Sequence, residues 1–300
     1  MQEIGQELID LNEDNEPKKE NRSNQEKKDT NKFNFFIILL IIIFSIVILI
    51  YLYITYFNES KKYKSVIILD FDKTITESDT FEQQIGLLPT KEAQDELIKR
   101  MYSTENWFSA LSDSYNEFYN LNITISDINN SIDKVNYTSG MLEFFNFLRN
   151  KKSKYILVIL SAGHTYQINR VLQRNNLISF FDEIIAFNSY EKNGKIIFEK
   201  GNEFSCDFCV NLGMCKKNEF NLLKQKYQKK NIFFDKVYFI CDGYVDFCLA
   251  NNLTKNDELL VRKNFDLDKY LYKDGFVKDI KCNIDKWNNG FDLINFFDNL

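Results

Sequence analysis

The sequence of 300 residues is poor in proline and glycine, with 2 and 10 residues respectively. No Pro- or Gly-rich stretch marks a linker between domains, and no internal repeat is present. Basic residues form no long run and the net charge is -5, which gives no basis for a nucleic-acid partner. The chain length favours one or two globular domains.

The first 57 residues fall into two parts of opposite character. Residues 1–32 are almost entirely polar and charged, so they cannot bury enough apolar area to offset the entropy of ordering, and we expect a disordered tail. Residues 35–57 contain no charged side chain. At about 1.5 Å per residue they span about 34 Å, more than the roughly 30 Å hydrocarbon core of a bilayer. We therefore predict a transmembrane helix over residues 33–57 that contacts lipid through 35–57.

A buried core helix and a cleaved signal peptide are the alternatives to this span. A signal peptide has a shorter apolar region that ends in small residues, whereas this one ends in tyrosines and Phe57. Six basic residues precede the span and three follow it closely, which favours a cytosolic N-terminus and a lumenal or extracellular domain. Glycosylation sequons fit that side of the membrane. They begin at Asn58, Asn122, Asn129, Asn136 and Asn252.

Short apolar runs recur through residues 61–300. They lie at 66–69, 155–160, 183–187 and 237–240, and polar residues follow each one. Such runs are typical of strands buried on both faces of a parallel sheet. Helical spacing at 165–175 and 219–230 makes strands and helices alternate, so we predict a doubly wound, mostly parallel α/β fold over 61–300.

Nearly eighty residues lie between Thr76 and the second apolar run, which begins at 155, and this is far more than a crossover needs. Apolar positions within them have helical spacing. We predict an all-helical cap at about 80–135, which would cover the end of the first strand. A separate turn signal, Asn193-Gly194 between two strand-like pieces, predicts a β-hairpin.

Acidic residues follow two of the predicted strands. Asp70 and Asp72 come after the first, and Asp242 and Asp246 after the fourth, while Ser161 follows the second. Ligands of open parallel sheets bind at the carboxyl ends of the strands. Carboxylates gathered there would raise each other's pKa unless a cation lay among them, and hard oxygen ligands in small number suggest Mg²⁺. Helix capping explains one such aspartate well but the whole set poorly.

Four motifs in order resemble the haloacid dehalogenase-like hydrolase superfamily. They are Asp70-Phe-Asp72-Lys-Thr74, Ser161, Lys216 and the acidic run Cys241–Asp246. The resemblance implies that Asp70 is a nucleophile forming an aspartyl-phosphate and that Asp72 is the general acid and base. It implies that Ser161, Lys216 and Thr74 serve the phosphate or orient the nucleophile. Asp70, the Asp72 carbonyl and Asp242 would hold Mg²⁺, supported by Asp246.

The triplet at 72–74 also opens the phosphorylation motif of P-type ion pumps, in which Asp72 would be the nucleophile. Ile75 stands where those pumps need glycine. One membrane span cannot form an ion path, so we set this alternative aside.

Within the superfamily, the chain resembles the phosphoethanolamine/phosphocholine phosphatase family and its pyridoxal-phosphate phosphatase relative from residue 66 to the C-terminus. The stretches that carry this resemblance are SGMLEFFNFLR at 139–149, FSCDFC at 204–209, MCKK at 214–217, DFC at 246–248 and WNNGFDLINF at 287–296. The resemblance implies a small phosphomonoester substrate, such as phosphocholine, phosphoethanolamine or pyridoxal phosphate. It also implies that Asp79 faces a cationic head group.

Two departures from the family pattern affect the choice of substrate more than the chemical steps. The second motif reads SAGH at 161–164, so Ala162 stands where the family has a carboxylate, and Val245 replaces an asparagine in the fourth motif. His164 could contact the substrate or play a neutral part in its loop. The departures also keep two other functions open: a phosphate-binding relative with weak catalysis, and a phosphotransferase.

Three of the six cysteines form the pattern Cys206-x2-Cys209-x5-Cys215, which resembles one in the family with one residue fewer in the second gap. They could hold Zn²⁺ if Cys248 or Cys282 completed a tetrahedron. In an oxidising compartment they could form a disulfide. They could also be reduced structural residues.

Overall fold

The computed structural model describes residues 17–57, 61–103, 106–199, 206, 208–209 and 213–300. The strands are β1 (Lys62–Leu69), β2 (Tyr155–His164), β3 (Glu183–Phe187), β4 (Ser189–Lys192), β5 (Lys195–Phe198), β6 (Ile232–Cys241), β7 (Glu258–Arg262) and β8 (Asn283–Trp287). The helices are α1 (Pro17–Phe57), α2 (Thr80–Ile85), α3 (Lys91–Ser103), α4 (Trp107–Asn120), α5 (Ile125–Ile132), α6 (Met141–Arg149), α7 (Thr165–Gln173), α8 (Lys216–Gln228), α9 (Phe247–Ala250), α10 (Asp266–Tyr272) and α11 (Gly290–Asp298). Short 3-10 helices lie at Lys152–Lys154, Ile178–Phe180, Tyr244–Asp246 and Phe276–Asp279.

Six strands form one parallel sheet in the order β3-β2-β1-β6-β7-β8. The predicted doubly wound α/β fold is therefore confirmed. The chain runs outward from β1 to β2 and β3 and then returns to β6 on the other side of β1. This reversal leaves a crevice at the carboxyl ends of β1 and β6, where ligands of such sheets bind.

The apolar run of β1 is buried on both faces, as the lack of alternation predicts. Ile67 and Leu69 pack into the core on one face of the sheet, and Val66 and Ile68 pack into the core on the other. Each such side chain contributes about 1.5–3 kcal/mol through burial. The first core also includes the cap residues Tyr115 and Phe118.

Helices α2 to α5 fill the region between β1 and α6, where the sequence predicts a helical cap. Thr124 begins α5 with a capping box, in which its hydroxyl accepts from Asp127 N and the Asp127 carboxylate accepts from Thr124 N. The predicted hairpin at Asn193-Gly194 is also present, as the antiparallel pair β4 and β5.

Strands β7 and β8 have a weaker apolar signal than the other strands of the sheet, since β7 has only three apolar residues in a row. The run of β7 is fully buried, yet it begins with Glu258 and ends with Arg262. Both charges have partners. Glu258 Oε1 lies 2.9 Å from Lys236 Nζ, and Arg262 Nη2 lies 2.8 Å from Glu77 Oε2. Strand β8 is at the edge of the sheet and mostly exposed, so it has no apolar run to detect.

Helix α1 and residues 61–300 form separate compact units. The stretch Lys32–Ile54 of α1 is long and apolar enough to cross a membrane, by length and composition. The helix begins at Pro17, so residues 17–32 are helical where composition predicts a disordered tail. Extending an existing helix is far easier than nucleating one, and Lys, Glu, Gln and Arg are good helix formers. Residues 1–16 of the predicted tail lie outside the described residues.

Candidate active site

Asp70 follows the last residue of β1 and lies at the crevice of the sheet. Its side chain is buried, with the residue 7% exposed. Its Oδ1 accepts a hydrogen bond from Phe71 N at 2.7 Å and lies 2.9 Å from Lys216 Nζ. Both contacts fall on one oxygen, so Oδ2 is the oxygen left to face a reacting atom.

Lys216 is the first residue of α8 and is 3% exposed. Its ammonium group also donates a hydrogen bond to Asp246. Burial by itself would lower the pKa of Lys216, but the carboxylates of Asp246 and Asp70 outweigh it and raise that pKa. The side chain is therefore cationic at neutral pH, beside the predicted nucleophile.

Asp70, Asp242 and Asp246 form a buried acidic cluster in which one carboxylate oxygen from each lies within 4.8 Å of the others. Burial, Asp70 and Asp246 together raise the pKa of Asp242 well above its usual range. Lys216 supplies one positive charge against these three carboxylates. The cluster has the hard oxygen donors and the excess negative charge that suit a divalent cation.

Thr74 connects the first and fourth motifs. Its hydroxyl donates to Asp242 Oδ1 at 2.9 Å, across 168 positions of sequence. Thr74 is fully buried and is not among the described residues that line the cavity of the site. The arrangement favours a role in holding Asp242 over the predicted contact with phosphate.

Asp72 lies two residues after Asp70, beside the start of the cap. Its Oδ1 accepts hydrogen bonds from Thr80 N at 2.7 Å and Thr80 Oγ1 at 2.6 Å. Burial and the neighbouring carboxylate of Asp79 raise the pKa of Asp72 well above its usual range, despite those hydrogen bonds. A carboxyl group with a raised pKa is suited to donate a proton near neutral pH.

A cavity of about 240 Å³ opens over Asp70 between the sheet edge and the cap. Among the described residues, it is lined by Asp70, Asp72, Lys73, Asp79, Phe81, Met101, Trp107, Leu111, Ser161, Ala162, Gly163, Gln167, Asp242, Gly243, Tyr244, Val245 and Asp266. The structure thus brings together five predicted residues from distant parts of the chain: Asp70, Asp72, Asp79, Ser161 and Asp242. The cap contributes apolar side chains to the lining, from Phe81, Met101, Trp107 and Leu111.

The second motif reaches the cavity at the end of β2. Ser161 is buried and its hydroxyl accepts a hydrogen bond from Gly163 N at 3.0 Å. A Cβ atom on Gly163 would lie 2.8 Å from Gln167 Nε2 and 3.3 Å from Asp72 Oδ2. A side chain there would crowd the space beside Asp72, so glycine allows the two motifs to approach each other.

Asp79 and His164, the two residues predicted to set substrate specificity, occupy different environments. Asp79 lines the cavity and caps α2, since its Oδ1 accepts from Phe81 N at 2.9 Å. Burial and Glu82 raise the pKa of Asp79. His164 is fully buried, with Tyr115 Oη 2.7 Å from its Nε2 and Ser189 Oγ 2.8 Å from its Nδ1. This network favours a structural role for His164.

Sequence reasoning misses three residues of the site. Trp107 begins α4 and its indole N–H donates to the Ala162 carbonyl at 3.3 Å, which connects the cap to the second motif. Gln167 lines the cavity from α7 and accepts from Gln84 Nε2 at 3.1 Å. Arg262 donates to the Lys73 carbonyl and holds the loop after Asp72. Only Trp107 carried a signal, as one of two tryptophans in the chain.

Comparison with known proteins identifies the class of this fold and site. Residues 65–300 match the family described as "Putative Phosphatase", and the chain belongs to that family. It has the haloacid dehalogenase-like fold and is a phosphoric monoester hydrolase. The resemblance predicted from the four motifs is therefore confirmed.

Two curated relatives carry more specific descriptions. A pyridoxal phosphate phosphatase of Bos taurus is 24% identical over 235 residues, which cover 78% of this chain and 97% of the relative. A phosphoethanolamine/phosphocholine phosphatase of Gallus gallus is 20% identical over 207 residues, which cover 69% of this chain and 76% of the relative.

A crystal structure of a phosphoserine phosphohydrolase-like protein from Francisella tularensis has a similar fold. It aligns with a TM-score of 0.52 at 18% identity, over 77% of this chain and 99% of that protein.

Proposed function

We propose that this chain hydrolyses a small phosphomonoester through an aspartyl-phosphate on Asp70, with Mg²⁺ as cofactor. One observation carries the proposal: a buried Asp70 faces the cavity, with Lys216 Nζ 2.9 Å from its Oδ1 and Asp72, whose pKa is raised, two residues away. A nucleophile, a cation and a proton donor thus lie together.

The reaction has two steps, formation and hydrolysis of the aspartyl-phosphate, and the same residues serve both. In the first, Asp70 Oδ2 attacks phosphorus and the bond to the ester oxygen breaks, while Asp72 gives its proton to that oxygen and the alcohol leaves. In the second, Asp72 takes a proton from water, the water oxygen bonds to phosphorus and the Asp70–phosphorus bond breaks. Ser161 would donate to a phosphoryl oxygen, and Lys216 would offset the charge that develops.

The acidic cluster supports a magnesium site in the same crevice. Asp70, Asp242 and the Asp72 carbonyl would hold the ion, with Asp246 supporting them and pairing with Lys216. Mg²⁺ bound there would neutralise charge on the phosphoryl oxygens. Thr74 fixes Asp242 for this role through its 2.9 Å hydrogen bond.

The cavity supports a small substrate with a polar or cationic group beyond the phosphate. Phosphocholine, phosphoethanolamine and pyridoxal phosphate are the candidates. Asp79 supplies a carboxylate to the cavity, and Ala162, which also lines it, supplies none. Trp107 and Phe81 add aromatic surface, which favours organic cations and rings.

Phosphate release by the full chain in detergent micelles tests the proposal. The three candidate esters would be compared with Mg²⁺ and with chelator, using wild type, Asp70→Asn and the exposed control Asp113→Asn. We expect Mg²⁺-dependent release that Asp70→Asn abolishes and Asp113→Asn retains. Equal rates for Asp70→Asn and wild type would overturn the nucleophile assignment. Release from no ester would favour a phosphate-binding relative, and transfer to an added alcohol would favour a phosphotransferase.

We also propose that residues 35–57 anchor the enzyme in a bilayer with the catalytic domain on the lumenal or extracellular side. Lys32–Ile54 supports the span by length and composition. Asn122 can show on which side of the membrane the domain lies, because it is in an exposed turn between α4 and α5 and begins a sequon.

Expression in a eukaryotic cell, followed by glycosidase treatment, checks this orientation. We expect a glycosidase-sensitive mobility shift that decreases in Asn122→Gln. Resistance to extraction by alkaline carbonate checks the anchor in the same sample. A membrane-bound chain that carries no glycan at any sequon would place the domain in the cytosol.

A further inference from the structure

Four cysteines converge beside the active site, outside the machinery described above. The sulfur atoms of Cys206, Cys209, Cys215 and Cys248 all lie within 4.8 Å of one another. Three of these residues are buried and Cys206 is partly exposed. All six cysteines of the chain are described, and none forms a disulfide. Cys282 packs in a different cluster, with the core that contains Val66.

The four sulfurs come from three segments of the chain. Cys206 and Cys209 belong to a tight turn, in which Cys209 N donates to the Cys206 carbonyl at 2.9 Å and the two sulfurs are 3.1 Å apart. Cys215 is the N-cap residue of α8, and Cys248 lies on α9. A Cys-x2-Cys turn completed by two further cysteines is a ligand pattern of structural zinc sites.

From this cluster we infer that the chain holds a structural Zn²⁺ on four thiolates. A zinc–sulfur bond of about 2.3 Å in tetrahedral geometry separates the ligand sulfurs by roughly 3.8 Å. The observed upper limit of 4.8 Å for every pair fits one ion at the centre. An iron–sulfur cluster places several irons and sulfides between its thiolates and so holds them farther apart. Disulfides would draw the sulfurs together in pairs at about 2.05 Å, which leaves the convergence of all four unexplained.

The cluster is screened from solvent, because Cys209 is 2% exposed, Cys215 is 0% exposed and Cys248 is 3% exposed. The Phe208 ring contacts Phe247 with 5.0 Å between centroids and adds apolar cover near the cluster.

The zinc site would connect two segments of the catalytic centre. Cys215 directly precedes Lys216, and Cys248 follows Asp246 by two residues. Lys216 and Asp246 are themselves in contact, so the ion fixes the two ends of one buried ion pair. Lys216 and Asp246 are therefore positioned by zinc, a consequence that rests on the proposed function, whereas the metal site itself does not.

Metal analysis of the full chain purified in detergent, without added zinc, tests the inference. We expect about one zinc per chain, which is lost in Cys248→Ala and Cys206→Ala and retained in Cys206→His, because imidazole also binds zinc. Two matched controls should keep the ion: Cys282→Ala, which removes a buried thiol elsewhere, and Asp242→Asn, which disrupts the acidic cluster instead.

Cobalt substitution adds a measurement on the wild-type chain, which does not depend on whether a variant folds. We expect a thiolate-to-cobalt charge-transfer band and the strong visible absorption of a tetrahedral site, both displaced by zinc. Iron in place of zinc, a disulfide found by peptide mass mapping, or four freely alkylated thiols in a metal-free native chain would each overturn the inference. None of these readouts uses phosphate release, so failure of the zinc site and failure of the proposed hydrolase activity are distinguishable.

Discussion

Lys216 Nζ lies 2.9 Å from Asp70 Oδ1, and both residues are almost fully buried. The ammonium group is held between Asp70 and Asp246, which are distant in the sequence. A buried cation with two anionic partners is costly to remove, because its removal leaves carboxylates uncompensated. Lys216 therefore contributes both to the stability of the fold and to the chemistry of the site.

Replacing Lys216 with methionine should lower kcat by about 10²–10³-fold, since the charge on the transferring group loses its partner. The free energy of unfolding should fall by about 3–5 kcal/mol, because two buried carboxylates lose their cation. Phosphate release and urea unfolding check the two effects. Lys226→Met is the matched control, since Lys226 lies on the same helix with its side chain 50% exposed. A Lys216→Met enzyme with unchanged kcat would contradict the assigned role.

Replacing Asp72 with asparagine should slow turnover by about 10²–10⁴-fold, because the general acid and base is lost. With an aryl phosphate, whose leaving group needs no proton, the first step should still occur. Phosphorylated Asp70 should then accumulate, since no base activates water for the second step. Mass spectrometry after acid quench checks this, with Asp113→Asn as control. An Asp72→Asn chain that turns over at the normal rate without accumulating phosphate would contradict the prediction.

Ala162 offers a gain-of-function test of substrate choice. Ala162→Asp adds a carboxylate to the wall of the cavity that Asp79 also lines. It should improve kcat/KM for phosphocholine and phosphoethanolamine relative to an uncharged phosphomonoester by about 1–3 kcal/mol, or roughly 5–150-fold. Ala162→Asn has a similar shape without the charge and should give no such preference. Equal effects of the two variants would show that the wall does not meet the cationic group.

His164 should make stability depend on pH. Burial lowers the pKa of His164 from 6.5 to about 3, so the folded chain keeps it neutral while the unfolded chain protonates it near pH 6.5. Its stabilising contribution is therefore present above that pH and is lost as pH falls from about 6.5 toward 3. The slope is at most about 1.4 kcal/mol per pH unit.

The pH dependence can be assigned because His164 is the sole histidine. Its ring NMR signals should show a neutral imidazole down to pH 5, in contrast to a solvent-exposed histidine. The difference in unfolding free energy between pH 7 and pH 5 should be smaller in His164→Gln, which keeps polar atoms for Tyr115 and Ser189. Titration of the native signals near pH 6.5 would contradict the buried assignment.

Much of the domain could be predicted from local sequence. The runs that became β1, β2 and β6 are apolar because both faces of these strands are covered, and this pattern can be recognised in the sequence. The run of β3 was recognised in the same way, although this edge strand is only partly buried. Strand β7 was missed because its charged ends are satisfied by Lys236 and Glu77, which are distant in sequence. The helical state of residues 17–32 was missed because composition favours solvation but does not oppose extension of an adjoining helix.

The chemistry of the candidate site could be predicted from the sequence because three of the four motifs lie at the carboxyl ends of strands, and parallel strands place those ends at one edge of the sheet. The order and identity of Asp70, Asp72, Ser161, Lys216 and Asp242 indicated phosphoryl chemistry, which the family match supports. Only the tertiary structure decided how these groups are paired. In the folded chain Thr74 forms a hydrogen bond with Asp242, and the buried His164 forms one with Tyr115. Cys248 lies beside the other three cysteines of the cluster. Those partners are far apart in the chain, and their contacts depend on packing geometry that residue type and spacing do not encode.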